Sequence, residues 1–151
     1  MTIALDFAFS LEVTVGAPLE LGETPAGRRR IIPITGGRVA GPKLGGRILP
    51  GGADWQTIRA DGTAELEARY TLAADDGAAI AVVHRALRHG PPEIVRKLVA
   101  GEAVDPGAYY FRGTPAFETA APAHLWLTRT VFVTRGARYP DKVSIEVYAV
   151  L

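Results

Sequence analysis

The feature of this sequence that most restricts its fold is a strict alternation of apolar and polar residues near the N-terminus. Polar or small residues separate apolar residues that all fall on odd positions: Leu5, Phe7, Phe9, Leu11, Val13 and Val15. A period of two places successive side chains on opposite faces of a strand, so this pattern predicts a strand with one buried face. The run is longer than a typical strand, and long strands are common in barrels, which wrap them around a core.

The same period of two recurs along much of the chain. Comparable runs occupy residues 65–72, 124–133 and 143–149, and sequences rich in glycine and proline separate the runs. Two of the intervening sequences, Asp61-Gly62 and Asp76-Gly77, are typical of hairpin turns. About eight to ten strand-like runs of this kind predict a mainly all-β protein, an antiparallel barrel or sandwich.

One segment departs from this period and predicts a short helix over residues 92–100. Its apolar residues recur at helical spacing: Ile94, Val95, Leu98 and Val99. Pro91 and Pro92 stand at the start, where a missing N–H costs nothing, and Gly101 is placed to end the helix. A single short helix in a β chain is expected to cover one open end of the barrel.

Composition limits the functions that are open to the chain. Its 151 residues predict one domain over residues 1–151, and 48% hydrophobic with 22% charged residues is ordinary for a globular protein. The net charge of +1 gives no general attraction to nucleic acid or to an anionic membrane, so neither is expected as a partner. Cysteine is absent, and Asp6 and Glu12 interrupt the first apolar run, so we expect a cytoplasmic protein without a signal peptide or membrane span.

A row of mixed polar residues follows the later strand at residues 109–118. Its odd positions are apolar, and its even positions form the polar row Tyr110, Arg112, Thr114, Ala116 and Glu118. The row either faces solvent or lines a cavity, because a barrel of about eight strands has room inside for one small ligand.

Several other residues leave the same two alternatives open. His124 and Trp126 share one face of a predicted strand, and Tyr70 and His84 lie on strands rich in apolar residues. Small-molecule pockets combine a few polar groups with large rings in this way. The alternative is structural, with His84 a hydrogen-bonded core residue and Arg112 and Glu118 an ion pair.

The sequence contains no known motif for a metal or a cofactor. Its three histidines, His84, His89 and His124, have neither H-x-H nor H-E-x-x-H spacing. Neither a G-x-S-x-G elbow nor a phosphate-binding glycine loop is present. We therefore expect no metal and no cofactor.

The stretch ILPGGADW, residues 48–55, places an acid and a large ring directly after a proline and two glycines. A turn needs the glycines and the proline, but it does not need Trp55. We expect the glycines to form a sharp barrel corner that directs Asp54 and Trp55 toward a pocket, close to Arg112 and Glu118.

Longer stretches, among them GRILPGGADW, LRHGPPE and VDPGAYYFRGTPAFET, closely resemble the DUF3237 family, also called UPF0311. The resemblance extends over nearly the whole chain and implies a calycin-like or lipocalin-like antiparallel β-barrel. The family's characteristic residues match this sequence at Gly51, Gly52, Asp54, Trp55, Arg69, Tyr70, Tyr110, Phe111, Arg112, Phe117, Glu118 and Thr119. The resemblance implies little about function beyond the handling of small, partly apolar molecules.

Three functional hypotheses follow. In the first, the protein is a cofactor-independent enzyme (an isomerase, lyase, cyclase or lactone hydrolase) acting on a small cyclic or aromatic-like molecule, with Asp54 or Glu118 transferring the proton and Arg112 holding an oxyanion. The substrate-binding walls would be Trp55, Tyr70, His124 and Trp126.

In the second hypothesis, the same pocket binds a ligand without changing it. In the third, Arg112 and Glu118 are structural and side chains fill the barrel. An apolar outer row on either terminal strand would favour a homodimer, because exposed edges and patches are usually covered.

Overall fold

The alternating segments form the strands of an antiparallel barrel in a computed structural model that describes all residues from 1 to 151. The strands are β1 (Leu5–Val15), β2 (Leu19–Thr24), β3 (Gly27–Ala40), β4 (Gly46–Ile48), β5 (Gly52–Ile58), β6 (Ala64–Ala74), β7 (Ala79–His89), β8 (Tyr110–Glu118), β9 (Phe132–Arg138) and β10 (Lys142–Val150). One α-helix, α1, spans Pro92–Val99, and 3₁₀ segments span Pro106–Ala108 and Pro122–Arg129. The prediction of a mainly β fold with one short α-helix is confirmed.

These ten segments occupy eight positions around a closed barrel. The order is β1-β10-β9-β8-β7-β6, after which β4 and β5 share the position between β6 and β3. β1 and β2 share the position on the other side of β3. Because β1 pairs with both β10 and β3, the sheet closes on itself, and the predicted pairing of the two terminal strands is confirmed.

The inward rows of the strands supply the core, as the period of two requires, except for β2, which has no buried residue. A cluster of 19 buried residues, including Phe9, Leu72, Phe117 and Phe132, fills the part of the barrel near the 3₁₀ segment Pro122–Arg129. A second cluster of six, which includes Leu98 of α1, lies at the other end. The polar interior described below lies between these two apolar layers.

Helix α1 forms where its sequence predicts it and packs on that second end. Pro92 occupies the first turn, Glu93 lies near the positive end of the helix dipole, and Gly101 follows the helix with φ of 78°. Leu98 is the buried residue of the helix and contacts the cluster that contains Tyr109 and Phe111. The helix therefore covers part of the barrel end, as expected. It is too short to cross a bilayer, and no other helix is long and apolar enough to do so.

The predicted strand over residues 124–133 is wrong for most of its length. Pro122–Arg129 is a 3₁₀ segment that crosses the end of the barrel and buries Leu127, and β9 begins only at Phe132. Leu125 and Leu127 are two residues apart, and that spacing does not distinguish a strand from an irregular segment with one buried residue. As a result, the even-numbered residues of β9 point inward, although the sequence pattern predicts the odd-numbered ones there. Phe132 and Thr134 are buried, whereas Val131 is exposed.

Candidate functional site

The interior of the barrel contains a polar cluster around a small cavity, here called the interior cavity. Its volume is about 40 Å³, room for a few water-sized groups. Its polar lining consists of Asp54, Gln56, Tyr70, His84, Arg88 and Arg138, which come from β5, β6, β7 and β9. Apolar side chains such as Ile32, Phe111 and Ile145 complete the wall.

The sequence around Gly51 and Gly52 explains how Asp54 reaches this cavity. Gly51 has φ of 108°, a conformation that glycine adopts without strain, at the turn from β4 to β5. A Cβ atom on Gly52 would lie 2.5 Å from the carbonyl oxygen of Arg69 and 2.6 Å from the Cβ of Tyr70. The two glycines therefore allow β5 to turn sharply and to begin against the backbone of β6.

Asp54 is the one carboxylate of the interior cavity. Gln56 Nε2 donates a 2.8 Å hydrogen bond to Asp54 Oδ2, whereas Asp54 Oδ1 is buried without a partner in the protein. The residue as a whole is partly exposed, but its carboxyl group lies in the interior. Burial raises the pKa of this carboxyl, and the hydrogen bond from Gln56 and the charges of the nearby arginines oppose that shift only in part.

Tyr70 and Gln56 add two more polar atoms without partners. The Tyr70 hydroxyl and Gln56 Oε1 are both buried and make no hydrogen bond within the protein. Burial is the main cause of a raised pKa for Tyr70, and the nearby charge of Asp54 raises it further, so the hydroxyl keeps its proton. Buried polar groups are nearly always hydrogen-bonded, so three unpartnered atoms around one cavity make it the candidate site.

His84 lies on the same inner face and is held in a fixed position. A hydrogen bond of 2.9 Å joins His84 Nε2 to Thr134 Oγ1 on β9. Burial lowers the pKa of His84 to about 4, so the ring is neutral at pH 7. Gly113 of β8 makes room for this contact, since a Cβ there would collide with His84 Nε2 and lie 2.9 Å from the Cβ of Ala86.

We therefore expect Gly113→Ala to destabilise the protein by about 2 kcal/mol, because the added methyl group overpacks the site and displaces His84. The midpoint of urea unfolding measures the effect. Gly107→Ala is the matched control, because its nearest new contact is an ordinary 3.5 Å. Equal midpoints for the two variants would contradict the tight packing of His84 against Gly113.

Three arginines reach the same region from different strands. Arg30, Arg88 and Arg138 are 4%, 5% and 8% exposed, which is unusual for this residue type. Arg30 Nε lies 3.1 Å from Glu20 Oε1 on β2, and Arg138 Nη1 donates to the carbonyl oxygen of Tyr139 at 2.7 Å. Burial lowers the pKa of Arg88 to about 10, which leaves it charged at pH 7.

The structure separates the residues that the sequence led us to place in a single cavity. Asp54 and Tyr70 line the interior cavity, whereas Trp55 lies on the outer face, because adjacent residues of a strand point in opposite directions. Arg112 and Glu118 are both exposed on the outer face of β8, whereas their neighbours Phe111 and Phe117 point into the core. The expectation that Arg112 and Glu118 lie beside Asp54 is therefore wrong.

His124 and Trp126 lie at the other end of the barrel, in the segment Pro122–Arg129. His124 Nε2 is 2.7 Å from Asp76 Oδ2 in the β6–β7 turn, a contact between two connecting segments. Trp126 packs edge-on against Phe132 with a centroid distance of 5.7 Å. Neither residue lines the interior cavity, and both contacts hold the segment against the barrel end.

A second concave region, here called the outer groove, lies on the outside of the barrel. Its volume is about 1020 Å³, and its lining includes Trp55, Glu67, Arg85, Tyr110 and Arg112. Trp55 and Arg112 thus share a surface, although not the expected one. The groove is shallow, and its charged side chains are exposed and partly paired, as in the contact between Arg85 and Glu67 at 3.4 Å. The interior cavity is the better candidate site, because three of its polar atoms are buried without hydrogen-bond partners.

Gln56 and the three buried arginines are interior residues that the sequence did not lead us to expect. The signal for each was present in the strand period. Arg88 has the same parity as the buried Ile80, Val82 and His84, and Arg30 has that of Ile32 and Ile34. Alternate residues of a strand share one face even where the strand becomes polar. Applying that rule to the last residues of each strand would have placed these side chains inside.

The fold and the interior cluster define a closed antiparallel β-barrel with an acid, a tyrosine and arginines buried in its core. The chain matches the model of the DUF3237 family, described as a protein of unknown function, over residues 3–150, and it belongs to that family. A UPF0311 protein of Rhodopseudomonas palustris is 45% identical over 99% of this chain and 98% of its own length. A solved β-barrel-like protein from Acinetobacter baumannii is 42% identical, with a TM-score of 0.87 over 100% of this chain and 98% of its own.

One relative has a name that describes an activity. A hydroalkoxylation enzyme of Penicillium herquei is 35% identical over 82 residues, which is 54% of this chain and 54% of the relative. A solved enzyme from the same fungus has a TM-score of 0.75 at 23% identity and covers 100% of this chain and 96% of its own. That structure shares the fold of this chain.

Proposed function

We propose that this protein is an enzyme that transfers a proton to or from a small molecule held in the interior cavity, with Asp54 as the acid and base. The observation that supports this most strongly is the Asp54 carboxyl, which is buried, has a raised pKa and has one oxygen without a partner. A carboxyl in such a setting exchanges its proton nearer to neutral pH than an exposed one does, which suits general acid–base catalysis. The reaction types that this chemistry serves are isomerisation, elimination, cyclisation and lactone hydrolysis.

The neighbours of Asp54 have roles that fit this chemistry. Gln56 holds one oxygen of the carboxyl group and so directs the other toward the cavity. The Tyr70 hydroxyl remains protonated and is free to donate a hydrogen bond to a substrate oxygen. His84 is fixed by Thr134 and neutral, so it shapes the wall without adding charge.

The named Penicillium relative supports the same class of reaction. Hydroalkoxylation adds an O–H group across a C=C bond. A C–H bond and a C–O bond form, the π bond and the O–H bond break, and no electrons are gained or lost overall. A protonated Asp54 would give its proton to the alkene carbon and recover one from the attacking hydroxyl. We extend to this chain only the type of chemistry, addition or elimination by proton transfer.

A non-catalytic binding protein is the second candidate, and the three unpartnered polar atoms of the cavity fit it as well. Ligand pockets usually measure about 300–1,000 Å³. The interior cavity, at about 40 Å³, admits only the end of a molecule. In this case the unpartnered atoms of Asp54, Gln56 and Tyr70 would bind polar groups of the ligand that is then released unchanged.

Mass spectrometry distinguishes the two candidates. Small molecules released from the purified protein are identified and then incubated with fresh protein in D₂O. Isomerisation, or addition to a C=C bond, predicts that one deuterium from the solvent becomes bonded to carbon in the product. Lactone hydrolysis and elimination predict a change in structure without deuterium on carbon. Recovery of the compound without deuterium on carbon and without change in structure would exclude catalysis on it and favour the binding protein.

A further inference from the structure

The charges inside the barrel do not balance, and the excess is positive. Arg30, Arg88 and Arg138 are each more than nine-tenths buried. Arg88 and Arg138 line the cavity, and Asp54 is the one acid that lines it with them. Glu20 pairs with Arg30 from the exposed strand β2, which accounts for one of the three cations. Asp54 is the one acid of the cavity that remains to balance Arg88 and Arg138, and Asp141, exposed before β10, adds a weaker attraction for Arg138.

Neither of these two arginines has a carboxylate partner. Arg138 Nη1 donates to backbone carbonyl oxygens, those of Tyr139 at 2.7 Å and Lys142 at 3.4 Å. The guanidinium of Arg88 makes no side-chain hydrogen bond or ion pair, and the ring of Phe111 lies 5.6 Å from its Cζ. Asp54 accepts a hydrogen bond from Gln56 and forms no ion pair.

A buried cation without a paired counter-ion costs several kcal/mol, and buried, strongly perturbed charges cluster at functional sites. The planar guanidinium fork matches the two oxygens of a carboxylate or the delocalised oxygen of an enolate or phenolate. The cavity that both arginines line has a volume of about 40 Å³, which suits a carboxylate-sized group.

We infer that Arg88 and Arg138 bind a planar oxyanion of the ligand, a carboxylate, enolate or phenolate, beside Asp54. This inference rests on the proposed function and adds the substrate class to it: the ligand enters with its anionic end first. Asp54 then lies next to the charged group, where it protonates an adjacent atom while the arginines hold the negative charge. The Tyr70 hydroxyl is the remaining donor for the same group.

Acetate and acetamide test this inference, because they have nearly the same shape and differ in charge. The Tm of the wild type is measured with about 100 mM of either compound at equal ionic strength. A ligand present at 100 times its Kd stabilises the folded state by about 2.7 kcal/mol, which for a chain of this size corresponds to a rise in Tm of about 5–10 °C. We expect acetate to raise Tm by several degrees and acetamide to have no effect.

Three variants locate the effect. Arg88→Gln and Arg138→Gln remove one interior charge each, and both are expected to abolish the shift caused by acetate. Arg112→Gln removes an exposed charge of the outer groove and is expected to retain the shift. If an interior variant does not fold, the ¹⁵Nε–H resonances of wild-type arginines give the answer, since two of them should move with acetate and not with acetamide.

Three outcomes would overturn the inference. Equal shifts with acetate and acetamide would mean that charge is not recognised, which leaves the proposed function of the cavity intact. A shift with inorganic phosphate and none with acetate would point to a tetrahedral anion instead. The absence of any shift and of any arginine resonance change would exclude the anion site, whereas the proposed function is judged separately by deuterium transfer.

Discussion

Replacing Asp54 with asparagine is expected to lower turnover by about 10²–10⁴-fold, because the amide neither gives nor takes a proton. The same change should make the folded protein more stable at pH 8. The pKa of the Asp54 carboxyl is above its ordinary 3.8 in the folded state. The folded state therefore loses stability relative to the unfolded chain as pH rises from 3.8 through the raised pKa of the folded state. Asparagine keeps the shape and the hydrogen bond from Gln56 but does not ionise.

The gain is about 1.4 kcal/mol for each tenfold by which the folded state binds the Asp54 proton more tightly than the unfolded chain does. That free energy corresponds to a rise in Tm of about 3 °C or more. Melting curves from pH 4 to pH 8 measure it, and the gain should shrink toward pH 4. Glu118→Gln is the matched control, an exposed acid on β8, and both its turnover and its Tm should resemble those of the wild type. Full activity of Asp54→Asn on an identified substrate would rule out Asp54 as the proton carrier.

Acidification between pH 6.5 and pH 4 is expected to cost the folded protein about 3 kcal/mol through His84 alone. The unfolded chain takes up a proton on this residue near pH 6.5, whereas burial lowers the pKa in the folded state to about 4. The stability that His84 provides is therefore present above pH 6.5 and is lost as pH falls through the interval. Asp54 has the opposite sign, so the two residues partly offset each other in the wild type.

Urea unfolding at several pH values separates these contributions. His84→Gln should flatten the loss of stability between pH 6.5 and pH 4, although it is less stable than the wild type at pH 7. His89→Gln is the matched control, because His89 is exposed and its ring stacks on Tyr110 at 4.9 Å. Its pH dependence should follow the wild type. A His84→Gln variant with the full wild-type dependence on pH would disprove the assignment.

The fold was largely predictable because the period of two is a property of the strand itself. The first strand, the two Asp-Gly turns and the helix after Pro91 all lie where their sequences place them. The 3₁₀ segment Pro122–Arg129 was not predictable in this way. Its single buried residue, Leu127, is fixed by contacts with distant strands rather than by a local repeat.

The site was predicted in part, and the errors have one physical source. A period of two shows which residues share a face, but not which face is inside when both rows contain polar and aromatic residues. In β8 the inner row is Phe111, Gly113, Pro115 and Phe117, so Arg112 and Glu118 lie outside. The anion-binding role first considered for Arg112 is now proposed for Arg88 and Arg138. These two arginines occupy inward-facing positions of β7 and β9.

The most direct test of the proposal compares the interior cavity with the outer groove as the place where the ligand binds. Ala68 is the cross-strand neighbour of Asp54 in the cavity wall, so Ala68→Leu adds bulk beside the Asp54 carboxyl. Ala116→Leu adds the same bulk on the exposed face of β8. Native mass spectrometry measures the ligand that each purified variant retains. We predict that Ala68→Leu loses the bound molecule and that Ala116→Leu retains it. Retention by Ala68→Leu, together with loss in Arg112→Ala, would place the ligand in the outer groove and contradict the proposed site.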